Sequence, residues 1–430
     1  MNRVKNKNHS AFVKAAFGPA TGGVKINPRV VEFCSTAEVR LLALFGGAAV
    51  RTRPMASWPV FDDAERGALI KVLETGAWGG YSPEVKQFEE CFAAAHDCRF
   101  AVSAANGTLT LEAALVAVGV APGEEVIVPP ITFIATATAV LRVGAVPVFA
   151  DIDPDTYNLD PARVAEAITP RTRAVIPVHF AGHPADMDTL MGLAREHDLQ
   201  VIEDCAHAHG AIWRGRKVGS FGDFGSFSFQ QSKNMTAGEG GILTTNDPEL
   251  ARKAWSFGNQ GRSPGGAWYE HDCLGTNLRL TGFQAAVLTA QLARLPEQMR
   301  IRAQSAGYLS SRLHGSAVIT PVLDERATAH GFYLFMLRLD RERLGGISKA
   351  RFLEALAAEG IPGASSYPHP LYRNRVFQTH QCRYAPCPEA ERMCEEAFWV
   401  SHEVLLADTG GLDDFVTAVE KIAAHAAHLR

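Results

Sequence analysis

Between about residue 97 and residue 245 the chain alternates two hydrophobic rhythms. EEVIVPP, AVPVFADI, RTRAVIPVHF and LQVIEDCAH are short, nearly continuous apolar runs rich in Val and Ile, the pattern of strands buried on both faces. Between them NGTLTLEAALVAVG, ITFIATATAVLRVG, DPARVAEAI and ADMDTLMGLAREHD carry apolar residues at helical spacing. In DPARVAEAI, Asp160 is placed to cap the helix and Pro161 to occupy its first position. Strands alternating with helices predict βαβ units, hence an α/β fold with a mostly parallel sheet between helices. GSFSFQ and GGILTT add two short strands flanking a turn.

The flanks read differently. Residues 1–50 show no period and are expected to form a peripheral N-terminal arm, with disorder an open alternative. WPVFDDAERGALIKVLETG predicts a helix started by Asp62 or Asp63 and stopped by Gly76, with Leu69, Ile70, Val72 and Leu73 as its apolar residues. Residues 281–313 form one long helical stretch, interrupted at Pro296, that bridges to a second domain. There YLFMLRL predicts a strand, and SKARFLEALAAEG and DDFVTAVEKIAAHAAHL predict helices. A chain of 430 residues exceeds what one core usually serves. The expected division is a large α/β domain over 51–295 and a smaller C-terminal α+β domain over 296–430.

Charge and cysteine content narrow the function class. A net charge of −4 without a long basic block argues against nucleic acid or an anionic membrane as partner. No apolar run is long enough to span a bilayer. Eight cysteines, at 34, 91, 98, 205, 273, 382, 387 and 394, include no CxxC pair and read as buried thiols of a reducing compartment. MNRVKNKNHSAFVKAAFG lacks a signal-peptide pattern, so the expected location is cytoplasmic. The spacing of Cys382, Cys387 and Cys394 fits no common zinc site, and no metal is expected.

In open parallel sheets ligands sit beyond the carboxyl ends of the strands, and four such places carry candidate chemistry. Gly107 and Thr108 open a helix after a short strand, where free amides attract phosphate; a plain helix cap is the alternative. Asp204 closes the buried strand VIED, where an acid needs a partner such as a protonated ring nitrogen, a helix start or a cation. His207 and His209 follow it, either beside a ring, as satisfied half-buried histidines, or as part of a zinc site lacking a third ligand. Lys233 is the only ionisable residue between Asp223 and Glu239. Beside apolar surface a lysine becomes a carbonyl nucleophile, though most lysines only snorkel to solvent. Together these pieces describe pyridoxal 5'-phosphate: a phosphate at Gly107 and Thr108, a ring nitrogen at Asp204, an aldehyde on Lys233 and a ring face for Phe133.

The segments GYSPEVKQFE, NGTLTLEAAL, VIVPPITFIATATAV, ADIDPDTYNLD, VIPVHFAG, VIEDCAHAHGA, SFSFQQSKNMTAGEGGIL and GTNLRLTGFQAAVLTAQL, taken in order, resemble the DegT/DnrJ/StrS sugar aminotransferases, pyridoxal-phosphate enzymes of fold-type I. The resemblance implies Lys233 as the Schiff-base lysine, Asp204 at the pyridine nitrogen, Phe133 as the stacking aromatic, His207 beside the ring and Ser228 at the phosphate. Asn277 matches an asparagine that reaches the phosphate of a second subunit, which implies a homodimer with shared sites. Tyr81, His179, Tyr367 and His369 lie in segments that line the substrate pocket of relatives, though tyrosines are also ordinary packing residues.

NMTAGEGG, GTNLRLT and CPEAERMCEEAFWVSHEVLL are most similar to the branch that aminates cyclitols such as scyllo-inosose. GTN in place of a GYN-type loop, and Tyr372 where nucleotide-sugar members often carry histidine, favour a substrate without a nucleotide. The expected partners are a small amino donor, glutamine or glutamate, and a keto acceptor. A nucleotide-activated keto-sugar aminotransferase and a 3-amino-5-hydroxybenzoate synthase-like enzyme are the alternatives. A dehydratase, which carries histidine at the lysine position, and a silent cofactor-binding regulator fit the retained Lys233, Asp204 and Ser228 less well.

Overall fold

A computed structural model describes residues 41–430, so most of the expected N-terminal arm lies outside the described residues. The central sheet has eight strands, in the spatial order Phe100–Ala104, Gly241–Thr245, Phe224–Ser228, Gln200–Asp204, Thr172–Val175, Glu125–Val128, Val146–Phe149 and Arg383–Tyr384. Neighbours are parallel except at Gly241–Thr245, which runs against both of its partners. The link from Ser228 to Gly241 holds no helix, and a parallel return would need a crossover, so the chain folds back antiparallel. As a consequence the carboxyl ends of the parallel strands and the start of the reversed one share one edge of the sheet.

Alternate residues of one strand enter different cores, as the strand pleat requires. Val126 and Val128 pack with Leu111, Leu115 and Val140, whereas Ile127 between them packs with Val175, Leu190 and Val201. A further cluster joins Phe88, Phe92, Phe227, Phe229 and Leu288. Past residue 313 a second, antiparallel sheet of Val318–Ile319, Leu334–Leu339, Ala397–Ser401 and Ala364–Ser365 supports its own core, including Phe335, Phe352, Phe398 and Val419.

Several expectations change. Pro296 does not interrupt its helix; Gly282–Leu313 is one element of 32 residues, begun by a capping box of Thr281 and Gln284. Proline removes one helical hydrogen bond, but Leu288 anchors the helix in one core and Leu309 and Leu313 in another, and that packing offsets the loss. In the Asp63–Thr75 helix only Val72 of the four apolar residues is buried, while Ile70 and Leu73 are each 56% exposed. Cys91 and Cys273 are exposed rather than buried. Leu42 packs into the C-terminal core, so the described end of the arm is docked there. Arg383–Tyr384, from the C-terminal third, is an edge strand of the first sheet. Arg383 and Arg171 there both hold the fully buried carboxylate of Glu125, at 3.0 and 2.6 Å.

Candidate active site

The site is built at the shared strand edge. After Phe100–Ala104 the chain turns directly into the Gly107–Ala117 helix, with Asn106 as N-cap accepting from the Leu109 amide at 3.0 Å. The first amides of a helix lack partners within it, which leaves those of Gly107 and Thr108 directed outward. Ser228 ends the Phe224–Ser228 strand, two places along the sheet, so close that a Cβ at Gly107 would stand 2.7 Å from the serine Cβ. A Cβ at Gly241 would meet the Asn106 carbonyl carbon at 2.6 Å. Only glycine fits at either position. The result is a concave group of backbone donors and one hydroxyl, positioned at the positive end of a helix dipole.

Asp204 stands at the end of the Gln200–Asp204 strand, 5% exposed. Its Oδ2 accepts from the Thr136 hydroxyl at 2.8 Å and its Oδ1 from the Ala206 amide at 3.1 Å. Thr132, one helical turn before Thr136, backs that hydroxyl at 3.1 Å. Burial pushes the carboxyl above the usual carboxylate range, opposed by these two hydrogen bonds and by the charge of Lys233. Asp204 is thus an acid held ready for a cation, without an arginine or lysine bonded to it.

Lys233 lies in the turn between Phe224–Ser228 and Gly241–Thr245. Burial brings its amine down to about 8, against the opposing charge of Asp204. The Nζ sits 4.4 Å from the ring centroid of Tyr333, a cation–π contact supplied by the C-terminal part of the chain. The Tyr333 hydroxyl is 2.8 Å from Ser232 Oγ, and its ring lies 4.4 Å from that of His207. His207 Nδ1 accepts from the Ala181 amide at 3.3 Å. Burial keeps its imidazole neutral, so its proton sits on Nε2. Acid, amine, neutral imidazole and anion cradle therefore surround one edge of the sheet.

The sequence profile of the DegT/DnrJ/EryC1/StrS aminotransferase family matches residues 59–419. The chain belongs to this family. A putative L-glutamine:3-amino-2,3-dideoxy-scyllo-inosose aminotransferase of Streptoalloteichus tenebrarius is 41% identical over 413 residues, 90% of this chain and 99% of the relative. An L-glutamine:2-deoxy-scyllo-inosose aminotransferase of the same organism is 38% identical over 423 residues, again covering 90% and 99%. The crystal structure of 3-amino-5-hydroxybenzoic acid synthase matches with a TM-score of 0.82 and 38% identity, over 87% of this chain and all of that one. Among the described residues no helix is long and apolar enough to cross a membrane.

In this DegT/DnrJ/EryC1/StrS aminotransferase the remaining predicted residues divide. Phe133, at 58% exposure, stands open beside the Ala135–Arg142 helix that carries Thr136. Tyr367 packs 6.4 Å from Phe180, which itself lies 5.7 Å from His207. Burial raises the Tyr367 phenol, and the charges of Tyr333 and Asp204 add to the rise. His369 is half-buried in a segment fastened to the Pro130 carbonyl through the Leu371 amide, at 2.8 Å. Tyr81 and Asn277 are exposed; Arg279 lies over the Tyr81 ring at 5.3 Å, and its amide donates to Asn277 Oδ1 at 3.3 Å.

His179 requires correction. It is fully buried, with Nε2 3.1 Å from Glu203 and Nδ1 accepting the Ala185 amide at 3.0 Å. Both ring nitrogens are used inside the protein, so it braces the Asp204 strand from behind and has no group left for substrate. Cys205 lies close to the same pair, but the Glu203 carboxylate already binds the amides of Gly219, Phe221 and Gly222. That trio is structural. Tyr372 is also buried, its hydroxyl on Glu391 at 3.0 Å and its ring stacked on Tyr384 at 4.5 Å.

Thr136 and Tyr333 were not anticipated. A polar residue recurring one turn apart in ITFIATATAV was a signal for Thr136. Nothing local marks Tyr333, which is brought in from a hundred residues downstream of Lys233.

Proposed function

We propose that this aminotransferase uses pyridoxal 5'-phosphate to move an amino group from glutamine or glutamate to a keto-cyclitol. The observation that carries the reading is Lys233, whose lowered amine faces the buried, cation-seeking carboxylate of Asp204 across a site with a ready anion cradle. The residues fit the cofactor on those grounds. Gly107, Thr108 and Ser228 would hold its phosphate, Asp204 its ring nitrogen, Phe133 and His207 its ring and Lys233 its aldehyde. When bound, it supplies the electron sink that makes a neighbouring C–H bond acidic.

The chain's own groups do the rest. Lys233, its amine free, would take the proton from the donor's α-carbon and deliver it to the carbon of the cofactor's aldehyde. The Tyr333 ring holds the displaced ammonium, and the Thr136 hydroxyl keeps Asp204 ionised and oriented. Tyr367 and His369 are the candidates for the hydroxyl groups of a polyol acceptor. Relatives named for scyllo-inosose substrates, at high coverage, support the cyclitol reading over a nucleotide sugar. A 3-amino-5-hydroxybenzoate synthase-like reaction remains the second reading, supported by the fold match to that enzyme.

We further propose a homodimer in which Asn277 completes the cradle of the second copy. Its exposure beside Tyr81, and the exposed Ile70, Leu73, Trp268 and Leu274 at 56%, 56%, 82% and 92%, support a covered face. A cytoplasmic location follows from the same reading of a soluble biosynthetic enzyme.

The test is to load the protein with amino groups from glutamine and offer scyllo-inosose, 2-deoxy-scyllo-inosose and a 4-keto nucleotide sugar. Consumption of either inosose is expected; reaction with the nucleotide sugar alone overturns the substrate assignment. The lowered amine also gives a pH dependence. Below about 8 the lysine is protonated and cannot attack, so cofactor capture should quicken as pH rises through about 8 and level off above it. An ordinary lysine would keep accelerating toward its usual value near 10.5. Stopped-flow absorbance against pH separates the two.

Gly107→Ala probes the cradle. The methyl group meets the Ser228 backbone side of the site, so a stability loss of about 1–3 kcal/mol and weaker cofactor binding are expected. Denaturant unfolding and cofactor titration measure both. Tyr333→Ala removes the ring that favours the ammonium, which should lower the midpoint of cofactor capture by up to about one pH unit. Tyr333→Phe keeps the ring face and should leave that midpoint in place.

A further inference from the structure

The turn that carries Lys233 is held by groups with no part in the reaction described above. Trp58 Nε1 donates to the carbonyl of Gln231 at 3.0 Å, and His402 Nε2 stands 3.0 Å from the carbonyl of Ser232. The two carbonyls immediately before the lysine are thus both taken by ring nitrogens. The His402 amide also donates to the Tyr333 carbonyl at 3.1 Å, so the residues that flank the amine share one support.

Behind His402 lies Arg302, fully buried on the long Gly282–Leu313 helix. Its Nη2 reaches His402 Nδ1 at 3.1 Å and Gln298 Oε1 at 3.5 Å, while Nε and Nη1 are buried without a hydrogen-bond partner. Among the described residues no carboxylate bonds it; the Trp58 ring covers it at 5.5 Å and meets the His402 ring edge-on at 4.4 Å. The other charged or titratable neighbours of His402 are Glu403, 3.9 Å from Nε2, the Tyr333 ring at 6.0 Å, and Lys233. Replacing a buried charge of this kind with an apolar side chain is often neutral or stabilising, so stability alone gives no reason for an arginine here.

Direction supplies the reason. A guanidinium can only donate and a carbonyl can only accept. His402 therefore has a bare Nδ1 toward Arg302 and a proton on Nε2 toward Ser232, and the opposite tautomer would break both bonds. A second proton would set N–H against N–H beside an existing cation. We propose that Arg302 and His402 are positioning residues for Lys233: the arginine fixes the tautomer of the imidazole, and the imidazole, together with Trp58, clamps the turn so that the amine keeps its place in both half-reactions. This rests on the reading of Lys233 given above.

Two measurements test it. Imidazole nitrogen-15 spectra of the full chain, which need no cofactor, should show His402 as the neutral Nε2–H form from pH 8 down to about 5, well below the ordinary histidine midpoint. An Nδ1–H tautomer, or an imidazolium at about pH 6, overturns the proposal. In the second, the rate at which the visible band of the cofactor-loaded protein forms is compared across variants. His402→Gln can still donate to Ser232 and accept from Arg302, and should stay within about threefold of the unaltered protein. His402→Phe and Arg302→Met should each slow it by about tenfold, the worth of one hydrogen bond, while the thermal midpoint of Arg302→Met holds or rises. Equal rates in all variants, or rate losses that only follow lost stability, sink the positioning role. If the unaltered protein forms no such band, the reading of Lys233 fails and takes this role with it, whereas an altered tautomer alone would sink only the clamp.

Discussion

Lys233→Ala is expected to lower transamination by more than about 10⁴-fold, the upper end of what one positioned acid–base group contributes. The loss should exceed that of any other single change because in the proposed mechanism the residue acts twice, as the anchor of the cofactor and as the carrier of the proton. It is the one ionisable side chain between Asp223 and Glu239. Borohydride treatment of the loaded protein should place the cofactor's mass on the peptide containing Lys233 and on no other, and the alanine variant should take none. The fold is expected to survive, since the turn is held by Trp58, His402 and Tyr333 and not by the lysine itself. Removing a buried amine whose charge is disfavoured there should leave the thermal midpoint equal or higher. A variant that folds yet keeps a substantial part of the activity would remove Lys233 from the mechanism.

How much of this was legible in the sequence differs by residue. The strands and helices between 97 and 245 were, because continuous Val and Ile runs and helical spacing are local signals, and the cap at Asp160 lies next to what it caps. Asp204 and Gly107 were marked by the rule that a parallel sheet sends its strand ends to one edge, whereas Ser228 was marked only by the family resemblance. His179 was named only because its segment lines the pocket of relatives, and the tertiary partners Glu203 and Ala185 show that it faces inward. Pro296 misled because a local rule about proline was overruled by two cores gripping one helix. Ile70 and Leu73 were read only as apolar residues of a helix, and the chain does not cover them. Tyr333, His402 and Arg302 left no local mark: the first two depend on contacts with a turn 100 and 170 residues away in sequence, and Arg302 on a contact with His402 100 residues away.

Asp204→Asn should separate stability from cofactor binding. In the protein without cofactor the carboxyl is raised by burial, which means that folding favours its protonated form. Such a group costs stability as pH rises above its unfolded value near 3.8, because ionisation must then occur in a site that resists it. The neutral amide bears no such cost: its oxygen can accept from the Ala206 amide while its NH2 donates to the Thr136 hydroxyl, whose proton can turn to Thr132. The cofactor-free variant should therefore be as stable as the unaltered protein at neutral pH, or more so, with the difference shrinking toward pH 4. Once the cofactor is present the order reverses. The carboxylate then meets a ring nitrogen it can keep protonated, and breaking a buried pair of that kind costs about 3–5 kcal/mol, or roughly 10²–10³-fold and more in affinity. Turnover should fall further than affinity, since an uncharged ring is a poor electron sink. Thermal unfolding with and without cofactor, followed from pH 4 to 8, reads both effects in one series. If the asparagine variant were less stable without cofactor, or bound it as tightly as the unaltered protein, Asp204 would be a structural acid and the site would lack the charge its chemistry needs.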